Sequence, residues 1–167
     1  MVLIEKASIG QAAALGRLEP TDGDRLRKFF YSLSPQTVYR RFLSPVARPD
    51  QLERLHLLEV DGSQRQALVA VVDGDIVGVA RYARDQKRPE LAELAVVVAD
   101  AWQGQGIGTR LLAALADAAT RTGVEGFAVL TLPDNQAALR LLRRLVPETR
   151  LQFAGGVLEG VVHLRAS

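Results

Sequence analysis

Between Glu93 and Leu112 the chain reads Glu-Leu-Ala-Val-Val-Val-Ala-Asp-Ala-Trp-Gln-Gly-Gln-Gly-Ile-Gly-Thr-Arg-Leu-Leu, and no other stretch restricts the fold as much. The β-branched run Val96 to Val98 has the character of a strand, and Thr109 to Ala119 has helical periodicity. Between them Gly104, Gly106 and Gly108 form a turn. A strand that feeds a helix in this way calls for a parallel neighbour reached by a right-handed crossover. The turn is also an anion cradle, because glycines let backbone N–H groups approach a phosphate and the helix points its positive dipole end at the same place.

The remaining residues can be placed around this unit. Val2 to Ile4 and Ala12 to Leu18 are candidate strands. Thr21 or Asp22 caps a helix through Leu26 to Tyr31, and Ser34-Pro35 starts another that runs to Phe42. Ser44-Pro45 and Arg48-Pro49 interrupt the chain, after which Asp50 opens a helix with Leu52, Leu55 and Leu58 on one face. Ala67 to Val72 and Ile76 to Ala83, joined by Asp73-Gly74, form a hairpin. Leu91 to Val98 is the strand entering the glycine turn, Gly123 stops the helix beyond it, and Phe127 to Leu132 is a further strand. Pro133-Asp134-Asn135 caps a helix to Leu145, and Leu151 to Ala154 and Val157 to Leu164 flank Gly155-Gly156 as a closing hairpin. This order predicts an α/β (α+β) chain with a mixed sheet and helices on both faces.

Composition then removes function classes. The 167 residues suffice for one domain with a real core, and 48% hydrophobic with 24% charged residues is ordinary for a globular protein. A formal charge of +2, with both signs interspersed, gives no reason to expect nucleic acid as a partner. The absence of cysteine removes disulfides and thiolate chemistry. No leader or bilayer-length apolar run is present, so a cytoplasmic location and no membrane partner are expected. His56 and His163 stand alone, so no metal site is expected either.

Three ligands suit such a turn. A dinucleotide fold wants a third glycine where Thr109 stands and no antiparallel strands ahead of it. A nucleoside-triphosphate loop ends in Gly-Lys-Ser or Gly-Lys-Thr, which is missing. Gln103-Gly104-Gln105-Gly106-Ile107-Gly108, by contrast, resembles the Gln/Arg-x-x-Gly-x-Gly/Ala turn of the GNAT family of N-acetyltransferases. Val98-Ala99-Asp100-Ala101-Trp102 resembles that family's strand exit, and Asn135-Gln136-Ala137-Ala138 its second cofactor element. Upstream, Phe29-Phe30-Tyr31-Ser32-Leu33-Ser34-Pro35, Tyr39-Arg40-Arg41-Phe42 and Ala67-Leu68-Val69-Ala70 resemble bacterial protein lysine acetyltransferases of the Pat type.

The resemblance implies a GNAT fold over 1–167 as a single domain, with a mostly antiparallel sheet of roughly six to seven strands. It implies acetyl-CoA as co-substrate and no metal. By the same likeness Val96, Val97 and Val98 hold the pantetheine through main-chain groups and polarise the thioester carbonyl. Gln103, Gly104, Gln105, Gly106, Ile107, Gly108 and Thr109 surround the pyrophosphate, and Asn135 and Ala138 face the pantetheine arm. Glu93 matches the glutamate proposed as base in Pat-type enzymes. Strand alternation puts it on one face with Ala95 and Val97, while Leu94, Val96 and Val98 take the other. A carboxylate buried there without a partner would have its pKa raised; alternatively Glu93 sits exposed or pairs with Arg81 or Arg84, and Glu90 is the second candidate base.

Many GNAT members carry a tyrosine that protonates the leaving thiolate, and the matching position here is Leu142, between Leu141 and Arg143. A thiolate of pKa about 8.5 can leave without that help. Tyr82 and Tyr39 are substitutes, each also readable as a packed aromatic. Trp102 is expected to anchor the loop, Arg40 and Arg41 to be solvated or to meet a phosphate or an acidic substrate, and Arg140, Arg143 and Arg144 to be solvated or to dock an acidic partner. The implied reaction is direct attack of an amine on acetyl-CoA in a ternary complex. The acceptor is a protein lysine, or alternatively a small amine or amino-acid derivative. A non-catalytic acyl-CoA-binding sensor or partner domain is the alternative of another class, and the expected assembly is a monomer or homodimer.

Overall fold

The computed structural model describes residues 3–5, 13–42 and 57–165. In sequence order the elements are β1 (Leu3–Glu5), β2 (Ala14–Arg17), α1 (Gly23–Tyr31), α2 (Pro35–Phe42), β3 (Arg65–Val72), β4 (Asp75–Arg84), β5 (Leu91–Val98), α3 (Ile107–Arg121), β6 (Gly126–Thr131), α4 (Gln136–Leu145), β7 (Gln152–Ala154) and β8 (Val157–His163). The strands form one sheet in the order β1-β2-β3-β4-β5-β6-β8-β7. All neighbours are antiparallel except β5 and β6, the pair joined through α3. The count reaches eight because each edge ends in a strand of only three residues. The expected helix from Asp50, with the preceding proline pairs and His56, lies outside the described residues. Among those described, no helix is long and apolar enough to cross a membrane.

Local chemistry explains the central meander. Asp73 and Gly74, with φ of 49° and 84°, make the tight turn between β3 and β4, where a left-handed pair matches the strand twist. A register shift beside it leaves Val77 as an extra residue in β4, so that Ile76 and Val77 are both buried, one on each face.

Each sheet face carries its own core. Leu111, Leu112, Leu115 and Ala119 of α3, with Leu139 and Leu142 of α4 also buried, cover the face bearing Leu68, Ala80, Tyr82 and Phe127. Leu26, Phe29 and Phe30 of α1 cover the opposite face against Val69, Val79 and Val97. A Cβ at Gly78 of β4 would stand 3.0 Å from Leu111 Cδ1 and 3.2 Å from Ile107 Cγ2. The bare backbone there lets the first turn of α3 settle directly on the sheet beside the end of β5.

Candidate functional site

The sheet opens in its middle. β5 and β6 pair at Leu91 with Gly126, Ala92 with Phe127 and Glu93 with Ala128, and there the pairing stops. β5 continues to Val98 against β4 alone, while β6 continues to Thr131 against β8 alone. The fork begins at Glu93, earlier than the Val96 to Val98 stretch suggested by resemblance. Ala99 N–H donates to Val77 O at 2.8 Å and Asp85 N–H to Leu91 O at 2.9 Å across the β4–β5 ladder. Because bonding alternates along an antiparallel pair, odd-numbered β5 residues bond to β4. Leu94, Val96 and Val98 therefore turn their N–H and C=O into the fork. Val97 is turned the other way, its backbone toward β4 and its side chain in the α1 core.

At the mouth of the fork lies the glycine turn. Gly104 and Gly106 have φ of 76° and 83°, a left-handed conformation that glycine adopts without penalty, and a Cβ at Gly108 would meet Leu141 and Val98 only at an ordinary 3.7 Å. Gly106 is the N-cap of α3, and the helix is not capped by a side chain. Gln103 N–H donates to Asp100 O and Arg110 N–H to Gly106 O. Among the described residues, no acceptor serves the backbone N–H groups between them, from Gly104 to Thr109. Such a run of donors at a helix N-terminus fits a phosphate group. Gln103 is exposed and folds back over the strand exit and α2: its Nε2 donates to Val98 O at 3.0 Å and to Thr37 Oγ1 at 3.3 Å. Gln105 Nε2 donates to Ala101 O at 3.3 Å. Trp102 packs against both apolar clusters and anchors the turn.

A polar clamp ties this turn to α2. The Asp100 carboxylate accepts from Ser34 N–H at 2.8 Å, Ser34 Oγ at 2.7 Å and Thr37 Oγ1 at 2.6 Å. Partial burial pushes the Asp100 carboxyl up, but the bonds from Thr37 and Ser34 together outweigh it and hold the group below its ordinary value. Asp100 thus completes the N-terminus of α2 from outside the helix. The signal in the sequence was Ser34-Pro35, a capping residue followed by proline at the first helical position; its distant acidic partner was not visible there.

Glu93 is exposed, at the root of the fork, with Ala83 and Ala128 directly opposite on its two neighbours. The alternative involving Arg84 is answered by where its side chain goes. Arg84 donates to Pro89 O and Thr122 O. Arg81 is buried, opposite Ala95. Arg41, expected to be solvated or to meet a phosphate or an acidic substrate, is half-buried and turned toward Arg81. Glu90 is exposed, its backbone carbonyl accepting from Glu125 N–H and Gly126 N–H at the closed end of the fork.

Across the fork, Asn135 caps α4, its Oδ1 accepting from Ala138 N–H at 3.2 Å. The half-buried Asn135 and Ala138 stand at the same open end as the glycine turn. Leu142 is core, 6% exposed. Tyr82 is fully buried, with its hydroxyl on Ser63 O and Thr122 Oγ1, both at 3.0 Å, which makes it a packing residue rather than an acid for this site. Tyr39 is exposed on α2 and His163 at the end of β8. Among the described residues no group of three His, Cys, Asp or Glu could hold a metal ion.

A fork in a mixed sheet, with bare donors at the next helix, is the arrangement the resemblance implied. The family model for the acetyltransferase (GNAT) family matches residues 28–145. The chain belongs to the GNAT family. That family is one of acetyltransferases. Acetyltransferase Pat of Mycolicibacterium smegmatis is 34% identical over 128 residues, which are 75% of this chain and 38% of that protein. An acetyltransferase of Pseudomonas aeruginosa is 36% identical over 126 residues, covering 72% of this chain and 66% of that protein. This chain therefore spans well under half the length of the first of these GNAT relatives. Among solved structures, the GNAT domain of S. lividans PAT superimposes with a TM-score of 0.80 at 26% identity, over 91% of this chain and 90% of that one.

Proposed function

We propose that this GNAT domain acetylates a primary amine, a protein lysine, by direct attack on acetyl-CoA in a ternary complex, with Glu93 as general base. The observation that carries the reading is the coincidence of the fork root at Glu93 with the bare N–H run from Gly104 to Thr109 at the fork mouth. In this reading the N–H run and the α3 dipole hold the pyrophosphate. The side-chain amide of Asn135, whose oxygen is already committed to capping, offers its Nδ2 to the pantetheine arm. The main-chain groups of Leu94, Val96 and Val98 line the fork, and an N–H there donates to the thioester oxygen as negative charge develops on it.

A lysine amine of pKa about 10.4 is almost wholly protonated near neutrality, so a proton must leave before or during attack. Glu93, exposed on the face opposite α3 and α4, can take it directly or through one water. Leu142 supplies no acid for the departing thiolate, which leaves with a proton from solvent. What favours a protein acceptor is the resemblance of Phe29 to Pro35 and Tyr39 to Phe42 to Pat-type protein lysine acetyltransferases.

The test is thiol release on mixing the protein with acetyl-CoA and a lysine-bearing protein. Wild type is expected to release thiol in step with lysine acetylation, and Glu93→Gln to lower kcat by about 10²-fold or more at neutral pH. Tight acetyl-CoA binding with no transfer to any amine would instead favour a non-catalytic acyl-CoA sensor.

A further inference from the structure

Between α4 and β8 lies a cavity of about 160 Å³, walled by Leu139, Leu142 and Arg143 of α4, Thr149 and Leu151 of the following loop, and Leu158 of β8. The chain creates it on leaving the helix. α4 ends at Leu145, Val146 is extended, and Thr149 N–H turns back to Val146 O at 3.0 Å. The loop then crosses β8 at Gly160, where a Cβ would stand 2.9 Å from Leu151 Cδ2 and 3.0 Å from Arg150 O. That crossing holds the loop against the sheet, and the space between loop and α4, over Leu158, is left open.

Two polar groups border this otherwise leucine-walled space. Thr149 Oγ1 is buried and has no hydrogen-bond partner. An unpaired buried hydroxyl is costly, and a ligand oxygen that accepts from it removes the cost. Arg143 lines the same space from the exposed last turn of α4, while Glu148, next to Thr149 in the chain, pairs with Arg165 at 2.7 Å instead. An apolar cavity of about 150 Å³ is enough to take up benzene, so this one admits an apolar body of that size. A guanidinium and a hydroxyl both donate, and the planar guanidinium fork suits a carboxylate. The cavity is also separate from the glycine turn. Leu141 is the α4 residue that faces the turn, 3.7 Å from where a Cβ at Gly108 would stand, whereas Leu139, Leu142 and Arg143 look to another side of the helix. We propose that this cavity binds a small amphipathic carboxylate, its apolar body among the four leucines and its carboxylate on the Thr149 hydroxyl and the Arg143 guanidinium. The site does not depend on the acetyl transfer proposed above.

The test uses benzoate as probe and benzamide as its neutral counterpart, with binding to the full chain read from side-chain methyl NMR signals. Benzoate should shift the methyls of Leu139, Leu142, Leu151 and Leu158 saturably, with a Kd on the order of millimolar, and bind roughly tenfold tighter than benzamide. Arg143→Gln should bring that ratio close to one. Thr149→Val keeps the shape and removes the hydroxyl, so it should weaken benzoate severalfold yet raise the urea midpoint of the free protein. The urea transition also reports that each variant is folded. No saturable shift at these methyls up to about tenfold above that concentration, as when water alone fills the cavity, would overturn the inference. Shifts centred instead on Leu94, Val96 and Val98 of the fork would do the same, as would unchanged benzoate affinity in folded Arg143→Gln and Thr149→Val proteins.

Discussion

At the residue scale, the site depends on a few positions whose neighbours leave them little choice. Gly106 holds φ of 83° at the N-cap of α3, while Gly108 is already helical with ordinary space for a Cβ. Gly106→Ala should therefore cost about 1–2 kcal/mol of stability, read as a lower urea midpoint, and Gly108→Ala distinctly less. Leu142 is 6% exposed in the α3–α4 core, so Leu142→Ala should cost about 2–4 kcal/mol by the same measurement. A residue that merely filled the vacant tyrosine position at the surface would cost far less. The glycines and Asn135 could be found in the sequence because their roles follow from backbone conformation and capping, which are local. Arg41 could not: on α2 its spacing is that of a surface residue, and only packing against the central strands turns it toward Arg81.

At the element scale, two connections position the turn: α3 lies on the sheet through Gly78, and α2 is fastened to the turn through Asp100. The Asp100 carboxyl is held below its ordinary value, so its stabilising contribution is fully present above the unfolded carboxyl's pKa of about 3.9 and is lost as pH falls through the depressed value. The urea midpoint of wild type should fall over that acid range, and Asp100→Asn should lower the midpoint at neutral pH and flatten the acid limb. A pH profile unaltered by Asp100→Asn would remove the clamp from this account. The tight turn at Asp73-Gly74, the boundaries of α4 and the strand β5 were readable from periodicity and turn residues. The end of β5–β6 pairing at Glu93 was not, because strand divergence is set by which third element each strand follows. Here β4 keeps β5 and β8 keeps β6.

At the scale of the whole molecule, both faces of the sheet are packed and the two cores share β3, β4 and β5. We expect one cooperative unfolding transition, raised by ligand binding. At acetyl-CoA concentrations about 100-fold above Kd the gain is about 2.7 kcal/mol, which for a protein of this size corresponds to a Tm increase of roughly 5–10 °C. The order of elements, the mixed sheet and the cradle at its centre were legible because a strand, glycine turn and helix constrain their surroundings. The surroundings of Arg41 were less so, since residues of α2, β4 and β5 meet there only through the fold. In the proposed reaction the main-chain donors of the fork mouth and the fork itself hold acetyl-CoA. Backbone amide NMR, with and without acetyl-CoA, tests it most directly. The largest perturbations are expected at Gly104 to Thr109 and at Leu94, Val96 and Val98. Saturable binding that left those amides unmoved, or no binding at all, would contradict it.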